Sequence, residues 1–277
     1  MPVSRRSGCL MTSAVTFVLG LAAFVLVGSG FVAALPGMIG GGTRLAPLVI
    51  TQPVPAPFPD GPRLNDGYDV SFPQCDRLLP APTQGFAIVG VNGGRAFKDQ
   101  PCFPDQAWWA QQHDGFAVYM NTEYDGTSDP VALGSAMAAD VVARMDAQLL
   151  PSQTPVWLDV ETDNNWRGTP EQHNQLLQSI AATLAEYGHP VGAYSAPKLW
   201  RTITGGIDPG MPIWLAVGTG TREKAEAACG RVGFGGREPS LVQWIENGPD
   251  GLPLDHDLIC PGVDATGLLM PSVPAAG

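Results

Sequence analysis

This chain of 277 residues is short of positive charge: 15 lysines and arginines stand against 26 aspartates and glutamates, a formal charge of −11. No basic cluster interrupts that balance, and a surface of this sign repels a polyanion, which excludes non-specific nucleic-acid binding. Charge of either sign is sparse. Charged residues make up 15% of the chain and hydrophobic ones 44%, the balance of a folded globular protein and not of a disordered one. The four histidines are scattered, and "DHD" around His256 has no partner at metal-ligand spacing. No glycine-rich phosphate loop follows a strand, no serine-centred nucleophile elbow is present, and no internal repeat is evident. These absences leave neither a metal nor a cofactor to expect.

Charge is missing altogether between Arg6 and Arg44. Behind a positive start, "MTSAVTFVLGLAAFVLVGSGFVAAL" reads as an export signal, and it is also long enough to span a bilayer. Small residues ending at Ala34 permit cleavage there, and a retained anchor is the alternative. Residues 1–43 are read as this signal or anchor, and the proline-rich residues 44–64 as a semi-rigid spacer. The folded part is expected outside the cytoplasm, secreted or held at the membrane. Cysteine usage agrees. Besides Cys9 there are four, Cys75, Cys102, Cys229 and Cys260, an even number suited to an oxidising compartment. Three pairings are possible; chain order favours Cys75–Cys102 with Cys229–Cys260, and buried free thiols are the alternative.

From Gly67 the pattern alternates. Eight strand-like runs ("GYDVSF", "GFAIVGV", "FAVYMNT", "TPVWLDVET", "PVGAYS", "MPIWLAV", "LVQWI" and "DHDLI") mostly alternate with helical segments. The helices carry their own punctuation: Asp129 and Thr169 stand at N-caps with Pro130 and Pro170 behind them, and Gly188 ends one. Such alternation predicts an α/β fold with a parallel sheet, and eight units predict a closed (β/α)8 barrel, irregular because several crossovers are short. The barrel is assigned to residues 65–265 and a C-terminal tail to 266–277.

Within a barrel, strand residues alternate between the interior and the surrounding helices. In "GYDVSF" this sends Asp69 and Ser71 inward, and in "VWLDVET" it sends Trp157, Asp159 and Glu161 inward. Two carboxylates at the end of an apolar strand are costly to bury. They make sense at the mouth of a cleft, where the catalytic residues of barrels sit.

The ordered set "GYDVSFPQ", "VWLDVET", "VGAYSAPKLW", "PIWLAVG" and "LVQWIENGPDGLPLDHDLI" resembles the family-25 glycoside hydrolases, lysozyme-like muramidases of the cell wall. It is closer still to the secreted actinobacterial glycoside-hydrolase-like proteins. The resemblance covers about residues 66 to 262. It implies a general acid at Glu161, a charge-stabilising carboxylate at Asp159, and tuning carboxylates at Asp69 and Asp257, with Asp255 the lesser choice for the last. It implies cleavage of a β-linked amino-sugar polymer, with peptidoglycan first. The alternative is a catalytically weak or inactive barrel that serves as a cell-wall glycan-binding module. Tyr124, Trp166, Tyr194, Trp214 and Trp244 lie near strand ends and are candidates to stack on sugar rings, no more than two of them being expected to do so. The loops after the first two strands depart from the family, and Arg95 and Lys98 there are candidates to pair with a site carboxylate and quench it. A monomer is expected, with a cell-wall glycan as its partner, and with the membrane as a second partner if the N-terminal segment is retained.

Overall fold

The computed structural model describes residues 66–82 and 85–272, so the expectations for the export segment, the spacer and Cys9 lie outside the described residues. All eight expected strands form: β1 (Asp66–Val70), β2 (Phe86–Gly90), β3 (Gly115–Asn121), β4 (Val156–Asp159), β5 (Val191–Ser195), β6 (Ile213–Thr219), β7 (Leu241–Asn247) and β8 (Pro253–Ile259). They are hydrogen-bonded in the order β2-β1-β8-β7-β6-β5-β4-β3, and β2 pairs with β3 to close the barrel. Among the described residues, five α-helices lie between strands: α1 (Phe103–Ala110), α2 (Pro130–Ala147), α3 (Pro170–Glu186), α4 (Pro197–Thr204) and α5 (Arg222–Cys229).

The helix starts follow from local chemistry. Asp129 accepts the Ala132 N–H at 2.7 Å ahead of Pro130. Thr169 and Gln172 cap the start of α3 reciprocally, so two otherwise unpaired backbone donors are satisfied. The end of α3 falls at Tyr187, with Gly188 following at a φ of +94°, a conformation that glycine adopts without a side-chain clash.

Two features correct the sequence expectation of eight parallel units. β8 runs antiparallel to both β7 and β1. Only the short turn 248–252 joins β7 to β8, and among the described residues β1 and β2 are joined by a single 3-10 turn instead of a helix. A short turn can make a hairpin but cannot return the chain for a parallel strand, which needs a dozen or more residues. The barrel is therefore closed and irregular, with one strand reversed.

The second correction concerns the C-terminal segment. Residues 266–272, set apart as a tail, pack onto the barrel: Leu268 and Leu269 are buried among Phe86, Ile88, Ala117, Trp157, Leu241 and Ile259. A short strand, β9 (Met270–Pro271), pairs antiparallel with Gly115 and Phe116 at the start of β3. Trp157 Nε1 donates to the Leu268 carbonyl at 3.3 Å. This end of the barrel is plugged by apolar side chains. Room for the plug comes partly from Gly192, where an added Cβ would stand 2.3 Å from the Trp157 ring. Outward-facing strand residues such as Val70, Leu158 and Val242 pack instead in the cluster shared with the helices.

Both disulfides favoured by chain order are present, Cys75–Cys102 and Cys229–Cys260. The first ties the loop after β1 to the start of α1, and the second ties the end of α5 to the end of β8. Two disulfides are the mark of an extracytoplasmic protein.

Candidate active site

The opposite end of the barrel is open. A cavity of about 200 Å³ is lined there by Asp69 and Ser71 from β1 and its end, Tyr119 and Asn121 from β3, and Asp159 and Glu161 at the end of β4. Tyr194 (β5), Trp214 (β6), Gln243 (β7), Asp255 (β8), Pro73 and Gln74 complete it. Among the described residues, no lysine, arginine or histidine lines it.

Strand alternation explains the placement. On β4, Trp157 goes into the apolar plug, and Asp159, two residues further along the same inner face, reaches the cavity. Beyond Asp159 the chain turns sharply, and Glu161 is held by its own backbone. Its carbonyl accepts the Trp166 indole N–H at 2.9 Å and the Asn164 N–H at 3.2 Å. The Asp159 carboxyl is buried; Oδ2 takes a short hydrogen bond from the Asn121 amide. Oδ1 has no protein hydrogen-bond partner. Asn121 is steadied in turn: its N–H donates to Asn92 Oδ1 at 2.9 Å, and its carbonyl accepts from Asn92 Nδ2 at 3.1 Å.

Asp69 is buried and accepts the Gln243 Nε2 amide at 2.8 Å. The other end of that amide accepts the Tyr194 hydroxyl, also at 2.8 Å. Asp257 does not line the cavity. It is wholly buried below it, where Oδ1 accepts the Trp214 indole N–H at 2.8 Å. The reversal of β8 is the reason: on an antiparallel strand the earlier residue is nearer the mouth, so Asp255, opposite Asp69 in register, takes the lining position that a parallel strand would have given Asp257.

This crowding of acids shifts every one of them. Burial pushes Asp159 well above the usual carboxylate range, and the charge of Glu161 adds to it. Burial also raises Glu161; the Tyr194 hydroxyl opposes this, and Asp163 and Asp255 reinforce it. Asp69 is raised by burial and then by the charges of Asp257 and Asp255. Asp257 is raised by burial, against the pull of the Trp214 N–H. Asp255 is pushed up to about 6 by burial, with the Arg77 charge working in the other direction. Carboxyls this close in a poorly solvated site disfavour one another's ionisation, so the site gives up its protons at higher pH than free carboxyls do.

Arg77 is itself fixed outside the cavity. Its guanidinium grips Asp250 through two contacts of 2.8 Å and the Pro253 carbonyl through a third of 2.6 Å, so it pins the β7–β8 turn to the loop after β1. Arg95 and Lys98, by contrast, are exposed and make no ion pair with Asp69, Asp159, Glu161 or Asp255. The Lys98 ammonium lies 5.4 Å from the centre of the Phe72 ring instead.

Of the five aromatic candidates, Tyr194 and Trp214 line the cavity and pack against each other at 4.6 Å between ring centres. The other three are corrected. Tyr124 is buried between the loops after β3 and β4, where its hydroxyl donates to the Ser128 carbonyl and its ring packs edge-on against His173. Trp166 packs on the same histidine, 4.9 Å away. Trp244 faces outward on β7 and stacks on His256, because its neighbour Gln243 occupies the inward position. Tyr119, Asn121 and Gln243 were not singled out from the sequence. The signal existed, since alternation along "FAVYMN" and "LVQWI" turns all three inward.

Comparison with known proteins agrees with this architecture. A family model described as lysozyme-like protein 1 matches residues 104–229. A probable GH family 25 lysozyme from Dictyostelium discoideum is 24% identical over 191 residues, covering 59% of this chain and 84% of that relative. Among solved structures, a muramidase from Trichobolus zukalii superposes with a TM-score of 0.53 at 18% identity, over 72% of this chain and 95% of the other. The bacterial lysozyme from Streptomyces coelicolor gives 0.52 at 16% identity, over 73% and 95%. A family 25 glycosyl hydrolase from Bacillus anthracis gives 0.52 at 16% identity, over 73% and 91%. The chain shares the barrel of the family-25 lysozymes and resembles them in sequence.

Proposed function

We propose that this chain is a glycoside hydrolase of the family-25 lysozyme type, acting outside the cytoplasm on a β-linked amino-sugar polymer of the cell wall, peptidoglycan first. One observation carries the reading: Asp69, Asp159, Glu161 and Asp255, from three different strands or their ends, converge with Tyr194 and Trp214 on one cavity that, among the described residues, no lysine, arginine or histidine lines. A buried salt-bridge network would have paired these acids. Left unpaired, they supply what glycoside cleavage needs: one carboxyl that keeps its proton near neutral pH and another that meets positive charge developing on the sugar.

In this reading Glu161 is the general acid. It protonates the glycosidic oxygen as the bond to the sugar carbon breaks. Asp159, held by Asn121, steadies the positive charge that develops on the ring or on a participating acetamido group. Asp69 and Asp255 flank the pair and keep the proton inventory high, and Asp257 acts from below by fixing Trp214. The N-terminal run is proposed to export the chain, either as a cleaved signal or as a retained anchor.

Incubating the protein with purified cell walls tests this. New reducing termini and soluble muropeptides are expected, and the sugar that carries the new terminus identifies the linkage. Retention on walls without any new reducing end would instead establish the glycan-binding module.

A further inference from the structure

The segment that follows β2, "VNGGRAFKDQPC", contributes no lining group to the cavity, yet it is held down from several sides. Asn92 and Asp99 form an antiparallel bridge, and the Gly93 N–H donates to the Lys98 carbonyl at 2.9 Å. A side chain has no room at position 93, where an added Cβ would stand 2.4 Å from the Asp99 carbonyl oxygen. From α2, Arg144 donates to Asp99 Oδ1 at 2.7 Å and to the Phe97 carbonyl at 3.2 Å. The Cys75–Cys102 disulfide closes the base of the loop.

This bracing presents Asn92, which is buried. The Val91 N–H donates to the Tyr119 carbonyl at 2.9 Å, and past it the chain leaves the sheet. There the Asn92 carboxamide takes the place of a strand backbone: Oδ1 accepts the Asn121 N–H at 2.9 Å, and Nδ2 donates to the Asn121 carbonyl at 3.1 Å. Turned over, it would set oxygen against oxygen and N–H against N–H, so it binds in one orientation only. Asn121, pinned at both its backbone groups, directs its own Nδ2 to Asp159 Oδ2, while Asp159 Oδ1 has no protein partner. We propose that Asn92 is a positioning residue for Asp159: by extending the β2–β3 ladder with its side chain it fixes Asn121, whose amide then holds Asp159 by one oxygen and leaves the other uncommitted. An N–H donor on that oxygen favours the carboxylate over the acid. The purpose of the device rests on the glycosidase reading, in which Asp159 must be charged to answer positive charge on the sugar.

Other groups act on Asp159. Burial and the charge of Glu161 push it up, the amides of Asn164 and Asn121 work in the other direction, and Asp163 adds to the rise. The phenols of Tyr119 from β3 and Tyr194 from β5 also feel its charge. In the loop itself the charged groups are Arg95, Lys98 and Asp99, the last tied to Arg144. The side-chain hydrogen bonds of Asn92 go to Asn121, so the amide route can be told apart from these loop charges.

The experiment is a titration of the Asp159 carboxyl by NMR in protein carrying 13C-labelled aspartate, without substrate, with Asp159→Asn used to assign the signal. Glu161→Gln is built into every other sample, so that the neighbouring titration does not split the curve. Asn92→Ala loosens Asn121 and its hold on Oδ2, so the midpoint should rise by about half a pH unit or more; Asn121→Leu removes the donor outright and should raise it at least as far. The double variant should match Asn121→Leu alone, since Asn92 acts only through Asn121. Should Asn92→Ala fail to fold, Asn92→Ser, whose hydroxyl cannot bridge both backbone groups, gives the same reading. A lower melting temperature with the Asp159 midpoint unmoved would overturn the proposal, leaving Asn92 an anchor of its loop and nothing more. A rise that adds to that of Asn121→Leu would overturn it too, by assigning the effect to the loop charges. Because no turnover is involved, a protein that leaves walls intact would refute the glycosidase reading while this result stood by itself.

Discussion

The two ends of this barrel are made from the same strands and obey the opposite logic. On β4, Trp157 is sealed among Phe86, Ile88, Leu268 and Leu269, while Asp159 on the same inner face meets an open cavity crowded with acid. The distance along the strand between them is only about 7 Å, two residues at the rise of a β-strand. On β7, Leu241 and Gln243 repeat the change, and on β3 Ala117 gives way to Tyr119 and Asn121. The plugged end gains stability from apolar burial and close packing. The open end holds buried, mutually repelling carboxyls that work against the fold at neutral pH. A scaffold can carry such a mouth because the apolar plug beneath it supplies stability from elsewhere.

That contrast breaks if substitutions at the two ends behave alike. At the mouth, Glu161→Gln should lower the rate of release of reducing ends by about 10²–10⁴-fold, the usual worth of a general acid, with melting temperature unchanged or raised. At the plug, Trp157→Ala should do the reverse, costing about 3–5 kcal/mol in urea denaturation because it opens a large cavity. Activity measured well below its melting transition should survive. Loss of stability in the first or of activity alone in the second would merge the two ends into one.

The disulfides come next in size. Cys229–Cys260 anchors β8, the reversed strand that carries Asp255, and closes a separation of 31 residues. Replacing both cysteines with serine should cost about 2–4 kcal/mol in denaturant unfolding. A loss below ~1 kcal/mol would mean that the hairpin and the barrel closure already hold β8.

The smallest effect sharpens the electrostatic half of the comparison. Burial pushes the Asp255 carboxyl up to about 6, from an ordinary value of 3.8. A carboxyl whose folded value is raised binds its proton more tightly in the native state, so its favourable contribution is full below the unfolded value. It is lost as pH rises from about 4 through about 6. Asp255→Asn should therefore stabilise the protein at pH 8 relative to wild type by about 1–3 kcal/mol, partial solvent screening favouring the lower figure, and the gain should vanish near pH 4. Unfolding curves at the two pH values check this. An equal effect at both would mean that the substitution acts through packing.

Much of this was legible from the residues. The inward alternation of "GYDVSF" and "VWLDVET" was enough to bring Asp69, Asp159 and Glu161 to one end of a barrel, and the capping residues Asp129 and Thr169 marked their helices. The direction of β8 was missed although its cause was printed in the chain: "NGPDG" leaves too few residues for a parallel return, and a hairpin is the only solution. From that reversal follows the exchange of Asp255 for Asp257 at the cavity wall. Tyr124 and Trp166 sit in loops, where no periodicity tells a sugar platform from a packed ring. Leu268 and Leu269 were set aside as tail because nothing local reveals that a barrel needs a stopper.

The central claim is that the two carboxyls in "VWLDVET" do different chemistry, Glu161 donating a proton and Asp159 answering charge. Turnover of an aryl glycoside whose leaving group needs no protonation, compared between Glu161→Gln and Asp159→Asn, tests this most directly. The account predicts that this substrate restores Glu161→Gln toward the wild-type rate and leaves Asp159→Asn crippled. Equal rescue of both variants, or wild-type turnover of wall glycan by either, would contradict it.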